Sequence, residues 1–507
     1  MGFLDPNIFD YNAQEHIDSI IMKGKLSAMR IEQIINQEVS EWKSSLKRKW
    51  MLTGEQYYRN KTDILERQRT SVGESGALEP VANLANNKLA NAFTRKLVDQ
   101  KVGYLLGKPL SVQTDNDQYA KLLNGFFDKA MMRRLQSTGK EAVNKGIGWM
   151  HVYYDENGNL SFKKMCSEEI IPLWRDEAHT VLDAIIRVYD VVVFEGTQRK
   201  TVTKVEWWDT KGVKRYVYDG IGIQHDIEAG EAGSHLFMDV EGQEEPAALN
   251  WQRIPFIPFK YNEEEQPLVE LIKSLVDDYD RNKSDNSNNL EDLPNSIYVV
   301  KNFDGTSGGE FRKNISTYRV AFVSGDGGID SVGIEIDTES YKTHMEMARK
   351  DIYEFGRGVD TQADNFGGDK SGVALKYLYA DLDLDANMME TEFQASLEQL
   401  LWFINMHLYN TTKVDYSSEK VDFIFNRDIM INETQVIEDI KNSVGLLSEE
   451  TLIANHPYVS DVNTELDRIK REKEQSIRED DPYNQLSGKW PEFEKKGEEG
   501  NRGIDDE

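Results

Sequence analysis

The chain reads as an α+β protein of several domains, and three observations carry that reading. Apolar residues recur every three or four positions over long stretches in both halves, the spacing of a helix face. Between about residues 147 and 260 the period drops to two, the spacing of half-buried strands. With 507 residues, the chain is long enough for about three cores.

Residues 1–70 are expected to be helical, on Ile17, Ile20, Ile21, Met29, Ile31, Ile34 and Ile35. A basic patch follows: Lys43, Lys47, Arg48, Lys49, Arg59, Lys61, Arg67 and Arg69, interleaved with Trp42, Trp50, Tyr57 and Tyr58. Cations among aromatics are one way to meet nucleic acid or a partner. A solvated helix face with a few core aromatics is the commoner source of such a pattern. Residues 80–130 are helical again and close at Gly103 and Gly107-Lys-Pro109, since proline cannot continue a helix and glycine suits its end. Ile147–Tyr154 and Asn159–Lys163 flank Asp155-Glu-Asn-Gly158, a hairpin whose Asn-Gly supplies positive φ. Val181–Phe194, Thr201–Trp208 and Val213–Tyr218 continue as antiparallel strands, Glu228–Glu245 is an acidic, glycine-rich exposed loop, and Trp251–Lys260, stiffened by Pro255 and Pro258, is extended.

Residues 265–371 are the most informative stretch. One amphipathic helix carries Leu268, Leu271, Ile272, Leu275, Val276 and Tyr279; a second carries Tyr341, Met345, Ala348, Ile352 and Phe355. Between them lie the strand-like Pro294–Gly305 and Val323–Ser331. Helix out, small β module, helix back is the layout of a projecting spoke. Residues 372–410 form the longest helical pattern, with Leu378, Leu382, Met389, Phe393, Leu397, Leu400, Leu401, Ile404 and Leu408 on one face; unbroken, it spans about 57 Å. Val421–Phe425 reads as a strand. Two short helices then flank Gly445-Leu-Leu-Ser-Glu-Glu-Thr451, where Gly445 stops one and Ser448 caps the next. From about residue 470 the chain is charged and poor in apolar residues, so a disordered tail is expected.

A formal net charge of −29 opposes ordinary nucleic-acid binding, which needs Lys and Arg to displace counterions; it also suits an acidic wall past which DNA slides without adhering. Cys166 is the only cysteine, so no intrachain disulfide forms and a reducing compartment fits. No apolar run approaches the roughly 20 residues of a membrane span, and no membrane partner is expected. Gly367-Gly-Asp-Lys-Ser-Gly372 is not a phosphate loop, because Asp369 replaces the glycine before the lysine. Gly325-Asp-Gly-Gly328 is a turn between strands. Asp381, Asp383 and Asp385 alternate without the glycine and distal glutamate of a calcium loop, and read as a solvated or subunit-facing acidic strip. The eight histidines show no ligand spacing. Catalytic residues, metal and cofactors are therefore expected to be none.

Arg253-Ile-Pro-Phe-Ile-Pro-Phe-Lys-Tyr-Asn-Glu-Glu264 is similar to the entry into the stem of portal proteins from tailed bacteriophages, the branch with long non-contractile tails that infects Gram-positive bacteria. The resemblance continues, in order, through Val300–Gly305, Val323–Asp330, Ala374–Asn387 and Gly445–Thr451, covering roughly residues 50–470. It implies a ring, usually dodecameric, with wing, stem, clip and crown around a central channel. Carried over by position, 1–262 become a helical region and β-rich wing, 263–289 and 339–358 the stem helices, and 290–338 the clip. Residues 359–371 become the tunnel loop, 372–410 the helix linking wing and crown, 411–470 the crown, and 471–507 the acidic tail. The tunnel loop then brings Thr361, Gln362, Asp364, Asn365, Phe366 and Lys370 to the channel. Asp277, Asp278, Asp280 and Asp285 fall off the apolar stripe and become channel-lining candidates. Ile297, Tyr298, Val299, Val300, Lys301 and Phe303 become clip residues for pairing between subunits, because an open strand edge seeks a partner. The implied protein sits at a capsid vertex of the virion and assembles in the host bacterial cytoplasm. It passes double-stranded DNA inward during packaging and outward at ejection. Its implied partners are copies of itself, the terminase large subunit, head-completion or adaptor proteins, and the scaffolding and major capsid proteins. The alternative is a phage head or baseplate structural protein that conducts no DNA.

Overall fold

The computed structural model describes residues 30–72, 77–80, 85–218, 222–238, 247–291, 296–301, 307, 328–333, 338–362, 377–427, 433–459 and 462–479. They fall into two compact units, residues 1–429 and 430–507.

The first unit opens with α1 (Ile31–Ser44) and α2 (Leu46–Tyr58), divided at Ser45, whose hydroxyl accepts from the Arg48 amide and caps the second helix. A short ribbon, β1 (Thr70–Val72) with β2 (Leu78–Pro80), follows. Then come α3 (Phe93–Leu106), β3 (Ser111–Gln113), α4 (Asp117–Phe126) and α5 (Lys129–Lys145). The expected hairpin forms as β4 (Ile147–Tyr154) and β5 (Leu160–Met165). β6 (Ile170–Trp174), β7 (Leu182–Glu195), β8 (Gln198–Asp209), β9 (Gly212–Tyr218) and β10 (Ile223–His225) make an antiparallel meander, with β11 (Ala232–Gly233) also on β9. β12 (Leu236–Met238) pairs with β13 (Ala247–Leu249), and β14 (Phe256–Lys260) joins β4.

Next come α6 (Leu268–Glu291), β15 (Ser296–Lys301), β16 (Gly328–Gly333), α7 (Thr338–Phe355) and the long α8 (Ala380–Thr412). At 33 residues α8 is about 50 Å long; the expected start at residue 372 lies outside the described residues. β17 (Asp422–Ile424) returns to pair with β3. The second unit holds α9 (Glu433–Ser443), α10 (Glu449–Ala454) and α11 (Val462–Glu479). Ser448 caps α10 as expected, accepting from the Thr451 amide at 3.2 Å. The expectation of disorder from 471 is corrected as far as Glu479, where α11 ends; residues 480–507 lie outside the described residues. Pairs such as Glu465–Arg468 and Lys473–Glu449, 3.2 and 2.9 Å, support a polar helix that composition alone undervalues.

One sheet, β14-β4-β5, is shared by two apolar cores. In β4, Ile147 and Trp149 point into a core with α1 and the meander; Met150 and Val152 point into the other, with α3 to α8. β14 divides in the same way, Phe256 on one side and Ile257 and Phe259 on the other. This follows from the period of two in strands that are apolar at consecutive positions. Phe259 meets Phe393 of α8 edge to face at 5.1 Å, and Ser396 donates to the Pro258 carbonyl at 2.6 Å, so the sheet fixes where α8 lies.

Several cations of the basic patch near the N-terminus make contacts within the chain. Lys47 pairs with Glu265, Lys43 lies 4.0 Å over the Tyr218 ring, Arg59 pairs with Glu55 and Arg67 with Asp285. Trp42 is buried and donates to the Glu168 carbonyl at 2.9 Å.

Candidate functional site: a helix pair and its buried joint

α6 and α7 are the helices the sequence places in a spoke. Residues early in one meet residues late in the other. Phe355 lines a cleft with Leu268 and Leu271, Gly356 lies close to Ile272, and His344 lies 3.3 Å from Asn282 and 3.2 Å from Asp278. The pair is therefore antiparallel. Its far end carries β15 paired with β16, from Ser296↔Gly333 to Lys301↔Gly328. The strand holding Ile297, Tyr298, Val299, Val300 and Lys301 thus already has one partner within its own chain. Phe303 lies outside the described residues.

The apolar stripe of α6 is rotated from expectation. Leu268, Val269, Ile272, Val276 and Tyr279 are buried, while Leu271 is half exposed. Beyond Tyr279 the buried stripe continues in polar residues at intervals of four: Asp280, Ser284 and Asn288. Each accepts a backbone amide from an extended strap. Asp280 takes Asn91 N at 3.0 Å, Ser284 takes Leu89 N at 2.9 Å, and Asn288 takes Asn87 N at 2.6 Å. Two extended residues rise about 6.6 Å and four helical residues about 6.0 Å, so the two repeats keep step. Asp280 also accepts from Thr62 Oγ1 and Asn91 Nδ2 at 2.7 Å each. Burial pushes its carboxyl above the usual range, and these donors oppose that.

This corrects the placement of Asp280, which is fully buried and cannot present charge to a channel. Asp277 is turned toward Lys273 at 2.6 Å and accepts from the Tyr57 hydroxyl. Asp278 and Asp285 keep 46% and 42% of their side-chain surface exposed, beside His344 and Arg67.

The end of the pair away from β15 and β16 is tied down on both helices. Glu265, at φ +54 just before α6, is buried against Lys47, His179 at 2.8 Å and Lys260 at 3.5 Å. Burial alone would raise this carboxyl, but the surrounding cations hold it well below the usual range. Gly146, at φ +83, ends α5 against the Glu265 carbonyl, where a Cβ would come within 1.8 Å; only glycine fits.

At the same end, just after α7, residues 356–362 are held from three sides. Gln100 exchanges two hydrogen bonds with the Val359 backbone, at 3.0 and 2.9 Å. Arg349 grips Asp360 with both arms, at 2.7 and 2.8 Å, and reaches Gln362 at 3.1 Å. Lys101 donates to the Arg357 carbonyl at 3.1 Å and to Asp385 of α8 at 2.8 Å. The Tyr261 hydroxyl shares the same carboxylate at 2.9 Å. Burial lowers the Lys101 ammonium and raises the Tyr261 hydroxyl well above its usual value. A Cβ on Gly358 would lie 2.2 Å from Leu97, so the segment hugs α3. Thr361 and Gln362 are exposed; Asp364, Asn365, Phe366 and Lys370 lie outside the described residues.

The acidic strip is also corrected. Asp385 is buried in this joint, and Asp383 meets Arg427 at 3.0 Å and the Tyr104 hydroxyl; Asp381 alone stays exposed. A signal was present: Lys101 interrupts the apolar run Leu97, Val98, Val102, Leu105, and Asp385 sits between Leu382 and Met389.

Among the described residues, no group of three or more His, Cys, Asp or Glu side chains is placed to hold a metal ion, and no helix is long and apolar enough to cross a membrane.

Residues 41–479 match the family model described as phage portal protein, SPP1 Gp6-like. The portal protein of Bacillus phage SPP1 is 33% identical over 429 residues, 84% of each chain. That of Clostridium phage phiCD119 is 30% identical over 458 residues, 87% of this chain and 96% of the relative. A solved structure titled as the neck of a native GTA particle computed with C12 symmetry covers 71% of this chain and 88% of its own. At 12% identity and a TM-score of 0.34, that likeness is too slight to bear on the fold. The chain belongs to the SPP1-like family of phage portal proteins.

Proposed function

We propose that this chain assembles into a ring, expected to be dodecameric, that forms a channel for double-stranded DNA at one vertex of a tailed-phage capsid. Portal proteins are non-enzymatic structural components of the virion at that vertex. In this reading α6 and α7 are the stem, β15 and β16 belong to the clip, α8 links wing to crown, and the chain after Gln362 enters the tunnel. The terminase large subunit docks during packaging, and head-completion proteins follow. Scaffolding and major capsid proteins surround the ring, whose assembly takes place in the host bacterial cytoplasm.

The observation that carries this reading is the antiparallel α6–α7 pair. It ends in a two-stranded module and leaves Leu271, Leu290, Met347 and Phe355 exposed on a single protomer. Exposed apolar residues along this helix pair favour association with further copies. Asp278 and Asp285 remain the channel-lining candidates, since acidic rings discourage DNA adhesion. Thr361, Gln362, Asp364, Asn365, Phe366 and Lys370 stay the tunnel candidates.

Electron microscopy of the purified protein tests the reading. The expected particle is a closed ring with an axial hole wide enough for a duplex. Monomers or solid discs would favour a structural head or baseplate part that conducts no DNA.

A further inference from the structure

We propose that Lys101 is a positioning residue that locks the long helix α8 to segment 356–362, so that the two shift together. Its ammonium touches both. The Asp385 carboxylate is 2.8 Å away and the Arg357 carbonyl 3.1 Å away, and these two partners lie on opposite sides, in sequence, of residues 363–376. One buried cation thus fixes both flanks of that stretch against α3.

The lock is stiff for an electrostatic reason. The Lys101 and Asp385 side chains are 2% and 9% exposed. Separating them strands a charge in a low-dielectric interior, where it is strongly destabilising. A slide of about an ångström takes either contact out of hydrogen-bond range. Arg357, the other cation at this carboxylate, stands at 3.7 Å and is 42% exposed. It faces a cleft of about 230 Å³ lined by Tyr261, Leu271, Phe355, Asp385 and Met388. Arg357 is the longer and more solvated of the two ion pairs, so Lys101 is the partner that holds the register. Gln100, one residue earlier, pins Val359 through two more bonds, which makes this turn of α3 the common abutment.

The role in DNA passage rests on the portal reading; the mechanical coupling does not. Two variants of the full-length assembled protein test it, K101M and K101M/D385N. K101M leaves the buried carboxylate with only the more distant Arg357 as a cation and should lose stability sharply. The double variant keeps an acceptor for the Tyr261 hydroxyl, removes both charges, and should recover most of the loss. Hydrogen exchange is the deciding measurement. In the unmodified protein, amides of 356–360 and of 381–390 should open with a common free energy. In the double variant their protection should diverge by about tenfold or more, and packaging of linear duplex DNA into nuclease-protected heads should fall by a similar factor. A double variant that keeps common exchange and normal packaging would overturn the proposal. Protein that forms no channelled ring would instead overturn the portal reading and leave the exchange result standing.

Discussion

Asp280 accepts three donors inside the protein, and removing it strands all of them: the Thr62 hydroxyl, the Asn91 amide and the Asn91 side chain. Asp280→Ala should therefore cost about 3 kcal/mol, against about 1 kcal/mol for Ser284→Ala, which removes one rung. Denaturant midpoints at constant slope check this; equal, small losses for both would show that the strap contributes nothing to α6. Glu38 behaves in the opposite sense. It is buried in α1, and burial, reinforced by Glu41, pushes its carboxyl up to about 7 from an ordinary 4.5. Between those values the folded protein holds a proton that the unfolded chain releases, so this residue's contribution to stability falls as pH rises through that window. Glu38→Gln should be near neutral at pH 4.5 and stabilising by about 2–3 kcal/mol at pH 8. Paired melts at the two pH values decide it. His151 works against that trend at the acid end. Burial, with Arg187 and Lys163 nearby, lowers its imidazole to about 3, so its contribution is lost as pH falls below about 6.5.

At the scale of elements, the β7–β8 ribbon outruns its sheet. β6 follows β7 only as far as Arg187, and β9 reaches β8 only at Thr203, yet the two strands stay paired to Glu195↔Gln198. Val192 and Phe194 are 45% and 77% exposed on one face of that extension. A two-stranded ribbon with apolar residues in water is prone to self-association. V192T/F194S should lower light scattering of the free protein at high concentration while moving its melting midpoint little; unchanged scattering would place the sticky surface elsewhere. Local patterning was readable for these strands, because period and turn chemistry are near-neighbour properties. The hairpin over β4 and β5 and the cap at Ser448 appear where the residues place them. The inward face of α6 was not readable in its second half. An acid at position 280 looks solvent-facing until the strap at 87–91, some 190 residues earlier in the chain, comes alongside.

At the scale of the molecule, periodicity yielded helices and strands, and the collinear resemblance yielded the family. Neither specified the joint at Lys101 and Asp385, which exists only when α3, α7 and α8 converge. The spoke also carries a prediction. β15 and β16 should be cut more readily by protease in dispersed protomers than in assembled particles, as read by mass spectrometry of the fragments. Equal susceptibility in both states would count against completion by neighbouring copies.

The sheet β14-β4-β5 acts as a party wall. With Trp149 in one room and Met150 in the next, no cut between them yields two sound halves. Heating should therefore empty both rooms at once, and deleting β14 alone should unseat α8, because the wall that carries that helix would be gone.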